Sequence, residues 1–160
     1  MNMFHKPAVS KKVGSKGFTL IEILVVIGII AVLAAIVIVA INPARQFAQA
    51  RDSQRLSNIN TILNAIGQKM ADNKGVFNAN GCPNTLPSAT TSIVTSGGTQ
   101  GDLSCLVPTY MSIMPTDPTA ASGANTGYEV YQEASTGRVH VIAQTQEPSI
   151  PRTAALEVVR

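Results

Sequence analysis

The sequence has no tryptophan, and aromatic residues make up only 4% of it, so a core facing water must be aliphatic and modest. Cysteine and histidine are equally scarce: Cys82, Cys105, His5 and His140 are all there is. Neither cysteine belongs to a close pair and the histidines are far apart, which removes the spacings of a zinc site. No nucleophile elbow is present, and no glycine-rich phosphate loop follows a strand, so enzymatic readings find no support and no catalytic residue is assigned. No internal repeat is visible.

Acidic residues are missing from the first 17 positions, which hold Lys6, Lys11, Lys12 and Lys16. The formal charge of +3 suggests a polyanion binder until the charges are located. Of the 12 basic residues, 4 lie in this stretch, leaving 8 against 9 acidic ones and a net charge of −1 from Phe18 onward. A nucleic-acid partner is therefore not expected.

What the sequence does have is one long apolar run, Phe18 to Ile41. At 1.5 Å per residue its helix slightly exceeds the hydrocarbon thickness of a bilayer, and it is longer than the apolar region of a cleaved secretory signal. Lysines clustered before it mark the cytoplasmic side, which places the N-terminus inside and everything after Ile41 outside. Arg45, Arg51 and Arg55 on the far side count against this orientation, and Asp52 partly offsets them. Outside the cytoplasm Cys82 and Cys105 are free to form a disulfide, closing a loop for about 3 kcal/mol, with two free thiols as the alternative. Near the start of the run stands Glu22, whose carboxylate costs roughly 2.5 to 3.5 kcal/mol in hydrocarbon unless something compensates it.

Beyond the run, Phe47, Leu56, Ile59, Ile62, Leu63, Ile66 and Met70 recur largely at three- and four-residue steps, with Arg51, Asp52, Arg55, Asn58 and Gln68 between them. This predicts an amphipathic helix that ends near Asn73 to Gly75, with Lys69 and Lys74 suited to its negative end. Pro43 predicts a kink or short break where the chain leaves the membrane. Residues 76–108 are rich in Gly, Ser, Thr, Asn and Pro and read as a long loop. In "TGYEVYQEASTGRVHVIAQTQ" two β-branched and aromatic runs flank Ser135-Thr136-Gly137, a hairpin signal with Tyr128, Val130, Val139 and Val141 on the buried face. A lone hairpin is not stable in water, so it is expected to lie against the amphipathic helix.

The stretch "KGFTLIEILVVIGIIAVLAAI", Lys16 to Ile36, resembles the N-terminal signature of type IV pilins and of the pseudopilins of type II secretion: a basic leader ending in glycine, an aromatic first apolar residue, and a glutamate four positions on. With the basic leader and the whole apolar run, the resemblance covers about a quarter of the chain. It implies cleavage after Gly17 by prepilin peptidase, N-methylation of Phe18, and retention of the anchor. It also implies a partner for Glu22, the amino terminus of an adjacent subunit, attracted strongly in low dielectric. Gly28, Ala31, Ala34 and Ala35 supply small side chains for close helix approach. The only proline near the helix follows the apolar segment, whereas pilin helices often carry a breaker inside it. "MPTDPTAASGANTGYEVY", Met114 to Tyr131, is similar to the Pro-x-Asp-Pro stretch of major pseudopilins, some of which bind calcium nearby. Asp117 with Asp102 or Glu129 offers oxygen donors, but their spacing matches no calcium loop, and aspartate before proline reads first as a turn residue; no cofactor is expected.

The expected fold class is α+β, a long N-terminal helix, transmembrane then amphipathic, packed against a small antiparallel sheet in a pilin-like head. Its parts are a leader (1–17), an assembly helix (18–42), the helix of the head (43–75), an αβ loop (76–108), and a sheet region with a C-terminal tail (109–160). The expected role is a filament subunit, with other copies of itself, prepilin peptidase, an inner-membrane platform, a motor ATPase and the membrane as partners. A type II secretion pseudopilin and a signal-anchored binding module that never polymerises are the alternatives.

Overall fold

The computed structural model describes residues 17–82, 84–97, 100–152 and 154–160, and the leader lysines lie outside the described residues. The chain divides into two compact units between Asn42 and Pro43.

The first unit is helix α1, Leu20–Ile41, whose 22 residues are apolar on every side; none of them is buried, and Glu22 is its only charge. About 33 Å long, it is sufficient in length and composition to cross a bilayer. It stops because Asn42 takes a left-handed conformation, φ 49°. Asparagine tolerates that conformation, and its carbonyl ladder ends there.

The second unit, the head, starts with α2, Pro43–Asp72. Proline at a first helical position costs nothing, because the N–H it lacks has no intrahelical partner there. The break expected at Pro43 is thus present, formed by Asn42 and Pro43 together. At the other end Gly75, φ 86°, donates its N–H to the Met70 carbonyl at 2.7 Å, the glycine-closed terminus the sequence indicated.

A four-stranded antiparallel sheet in the order β1-β2-β3-β4 covers α2: Thr91–Val94, Asn125–Gln132, Val139–Ala143 and Leu156–Val159. The hairpin β2-β3 pairs Val130 with Val141 and Gln132 with Val139. Tyr128, Val130, Val139 and Val141 are all buried, on the face the alternation assigned to the core. They meet Ile59, Ile62, Leu63 and Ile66 of α2, with Ile93, Leu103 and Leu106 closing the core from the αβ segment. Both edge strands were missing from the expectation. β1 lies inside the stretch whose composition reads as loop, and β4 forms in the C-terminal tail. Cys82 and Cys105 are joined, Cα to Cα 5.2 Å, tying the segment after α2 to the short 3-10 turn Ser104–Leu106.

The buried face of α2 differs from the expected one. Phe47 is 66% exposed and Leu56 44%, while Asp52, Arg55 and Asn58, read as solvent-facing, are buried. Lys69 is buried as well; its ammonium donates to the Asn80 carbonyl at 2.8 Å and stands 5.7 Å over the Tyr110 ring.

Candidate functional site

The first candidate is the start of α1. Gly17, Phe18 and Thr19 precede the helix in non-helical conformation, exposed, with no obstacle within 4 Å of where a Gly17 Cβ would be. Thr19 is the N-cap. Its backbone N–H and its hydroxyl each donate to Glu22 Oε2 at 2.8 Å, and Glu22 N–H donates to Thr19 Oγ1 at 3.3 Å. Such a reciprocal cap satisfies two of the donors that every helix start leaves open, and losing it costs about 1 kcal/mol. The Glu22 carboxylate is therefore held by two donors of its own chain at the entrance of the apolar segment. Thr19 went unread in the sequence, although a threonine three residues before a glutamate and ahead of an apolar run is the pattern of this cap. Gly28, Ala31, Ala34 and Ala35 are exposed along α1, and a Cβ at Gly28 would meet nothing, leaving a shallow notch between Leu24, Val25 and Val32.

The second candidate is a charge cluster inside the head. Arg55 has no exposed surface. Its Nε donates to Asp117 Oδ2 at 2.8 Å, its Nη1 to Asp52 Oδ1 at 3.0 Å and Glu147 Oε1 at 2.6 Å, and its Nη2 to Thr119 Oγ1 at 2.8 Å. Arg51 adds a two-point contact to Glu147, and Arg152 reaches Asp52 at 2.6 Å. Three arginines thus face three carboxylates, so the group as a whole is neutral, with Arg55 and the three carboxylates buried and Arg51 and Arg152 partly exposed at its edge. It joins α2 to the segment before β2, through Asp117, and to the segment between β3 and β4, through Glu147 and Arg152. Beside it the Asn58 amide donates to the Thr116 carbonyl at 3.1 Å and to the Tyr128 hydroxyl at 2.8 Å.

Asp117 also accepts from the backbone of Thr119 and Ala120, each at 2.8 Å, the turn expected of aspartate before proline. The turn lies close on β2 because residue 127 is glycine. There φ is 81°, and an added Cβ would stand 2.7 Å from the Asp117 Cβ. The other carboxylates weighed as calcium donors lie elsewhere: Asp102 accepts from Ser104 N–H at 3.0 Å, and Glu129 from the Gln144 amide at 2.8 Å. Among the described residues no three His, Cys, Asp or Glu side chains form a group that fits a metal ion, and Asp117 is engaged by Arg55. His140 sits in β3, stacked on Tyr131 with centroids 4.3 Å apart and with Nδ1 against Glu157.

Hydrogen bonds from Arg51 draw the Glu147 carboxyl down to about 2, with Arg55 assisting and burial opposing. Burial pushes Asp117 up, but Arg55 and the turn N–H groups outweigh it and its value is lowered. For Arg55 burial disfavours the charge, and the bonds to Asp117, Glu147 and Asp52 more than restore it, so its value is raised. A carboxylate depressed in the folded state contributes stability that is present above its unfolded value and lost as pH falls through the folded one. The thermal midpoint of the head is therefore expected to hold above about pH 5 and to drop steeply from there toward about pH 2, measured by circular dichroism with the disulfide intact. Glu147→Gln is expected to make that acid limb shallower.

Comparison with known proteins bears on the first candidate. A family model described as the prokaryotic N-terminal methylation motif matches residues 13–38, which include Gly17, Phe18, Glu22 and Gly28. The chain carries the type IV pilin and pseudopilin signature. The match ends within α1, and the comparisons with curated proteins and with solved structures each return no match. An α+β layout, with a long apolar N-terminal helix and a small four-stranded antiparallel sheet, fits a pilin-like fold. The signature and the apolar helix fit a membrane-anchored protein and a structural subunit of the pilin-like class.

Proposed function

We propose that the chain is a structural subunit of a type IV pilus-like filament, cut after Gly17 by prepilin peptidase, methylated on Phe18, and polymerised through α1. One observation carries this reading: the methylation motif over 13–38 coincides with a 22-residue helix whose single charge, Glu22, stands one turn from the new terminus. Before cleavage that carboxylate is held by Thr19. Cleavage creates an ammonium at Phe18, and a neighbouring subunit's ammonium and this carboxylate neutralise each other as the helix leaves the bilayer. The aliphatic surface of α1, covered by lipid before assembly, is covered afterwards by other copies of α1. A membrane platform and a motor ATPase supply the work of extraction.

The Met114 to Tyr131 stretch favours a second reading, a pseudopilin of type II secretion, since its Asp-Pro turn precedes β2, as the similar stretch of major pseudopilins precedes their last strands. Mass spectrometry of the protein purified from its native membrane tests the processing step that both readings share. A chain beginning at N-methylated Phe18 is expected. A chain that retains Lys11, Lys12 and Lys16 is a signal-anchored module, and the filament reading fails.

A further inference from the structure

Asn80 and Gly81 are the only place in the chain where asparagine is followed directly by glycine. They turn the backbone between the end of α2 and Cys82, with φ 46° at Asn80 and 99° at Gly81, left-handed conformations that these two residue types tolerate best. The turn accounts for both residues. It also sets side by side a reactive pair, because a glycine nitrogen, with no side chain beside it, closes readily on the amide of a preceding asparagine.

The surroundings of this peptide bond bear on that reactivity. Lys69 Nζ donates at 2.8 Å to the Asn80 main-chain carbonyl, which belongs to the same peptide group as the Gly81 nitrogen. Lys69 is 2% exposed, its ammonium lies 5.7 Å over the Tyr110 ring, and none of the ion pairs among the described residues includes it. A buried cation without a carboxylate is costly. Held by that cation, the carbonyl oxygen takes up more of the negative charge left when the Gly81 N–H loses its proton, so the nitrogen is the more easily made a nucleophile. The target is accessible. Asn80 is exposed, its Nδ2 donates to Asn73 Oδ1 at 2.6 Å, and a Cβ at Gly81 would have nothing within 4 Å, so no obstacle stands on that side of a closing ring.

We propose that Asn80 is a self-modification site, which Lys69 directs toward isoaspartate. Gly81 N gives up its proton and bonds to Asn80 Cγ while the Cγ–Nδ2 bond breaks, and Nδ2 takes a proton and leaves as ammonia. Water then opens the cyclic imide. Attack at the Asn80 main-chain carbonyl carbon, which Lys69 polarises, breaks its bond to Gly81 N, returns a proton to that nitrogen and leaves a carboxylate in place of the carbonyl. The chain now runs through Cγ. The new carboxylate forms on the group that Lys69 already holds, so the modification supplies the buried ammonium with a counter-ion. Attack at Cγ gives aspartate instead, with its carboxylate in place of the amide that meets Asn73. Water is the only co-reactant, and the reaction is a property of the folded head that does not rest on the filament reading.

The test uses the full chain, purified in detergent with its disulfide intact, incubated at neutral pH, and mapped by mass spectrometry with fragmentation that separates isoaspartate from aspartate. Conversion is expected at Asn80 ahead of Asn73 and Asn78, with isoaspartate as the main product. Lys69→Met and Lys69→Gln remove the cation and are each expected to slow the conversion by roughly tenfold, with thermal melts verifying that the heads are folded. A second measurement needs no variant. In urea Lys69 no longer holds the Asn80 carbonyl, and the ratio of isoaspartate to aspartate is expected to fall by about twofold or more from its value in the folded protein. An Asn80 that stays intact, or that converts no faster than Asn73 and Asn78, overturns the proposal. Equal rates in the parent and both folded variants overturn it as well, as does a product ratio unchanged in urea. If neither variant folds, the product ratio decides.

Discussion

Replacing Arg55 with methionine is expected to destabilise the head by about 3 to 5 kcal/mol, the cost of removing one member of a buried ion pair. The guanidinium is the centre on which Asp52, Asp117 and Glu147 converge. Arg51 still reaches Glu147 and Arg152 still reaches Asp52, so the loss falls mainly on Asp117, whose side chain has no exposed surface and whose ion pair is with Arg55. Against a total of about 5 to 15 kcal/mol for a domain, the change brings the head near unfolding at growth temperature. Denaturant unfolding of the variant with its disulfide intact checks the magnitude. The double variant Arg55→Met with Asp117→Asn is expected to recover part of the loss, because the amide keeps an acceptor for Thr119 and Ala120 without leaving a lone charge. Equal stability of Arg55→Met and the parent rules out the cluster as the tie between α2 and the loops.

The largest functional effect is expected at Glu22. Glu22→Gln keeps a side-chain oxygen for the Thr19 donors and removes only the charge. The helix start should survive, and processing at Gly17 should proceed. Filament yield is nonetheless expected to fall by roughly thirtyfold or more, the equivalent of about 2 kcal/mol lost for each desolvated pair. Glu22→Ala should fall at least as far, since it also removes the cap. Electron microscopy of sheared surface material, with immunoblots for processed protein in the membrane, distinguishes failed assembly from failed processing. Normal filaments from Glu22→Gln would mean that the carboxylate acts as a cap and not as the partner of an amine.

How far the sequence reveals this molecule depends on whether a signal is local. α1 is local, a continuous apolar run, and the hairpin is local too, because alternation over Tyr128 to Val141 and a glycine turn specify both register and face. The two edge strands are four residues each. Thr91–Val94 sits among serine and threonine, and Leu156–Val159 gains its ladder only from β3, so neither segment announces itself alone. The cluster around Arg55 is the opposite extreme. Periodicity sorts residues by polarity and so assigns Arg55 to solvent, whereas the partners that make its burial favourable lie 62 and 92 residues away. Once Arg51, Asp52 and Arg55 turn inward, the face rotates and Phe47 and Leu56 become its margins. Thr19, by contrast, was within reach of the sequence, since the cap it forms with Glu22 is a four-residue pattern.

Gly127 shows how little separates a tolerated charge from a stranded one. The smallest possible enlargement there, a single methyl, would be driven against the turn that delivers Asp117 to its counterion. The address of that carboxylate is thus written on a strand, in the absence of a side chain, at a residue that bears no charge. Alanine, ordinarily the mildest of replacements, would act at that position much as the deletion of an ion does.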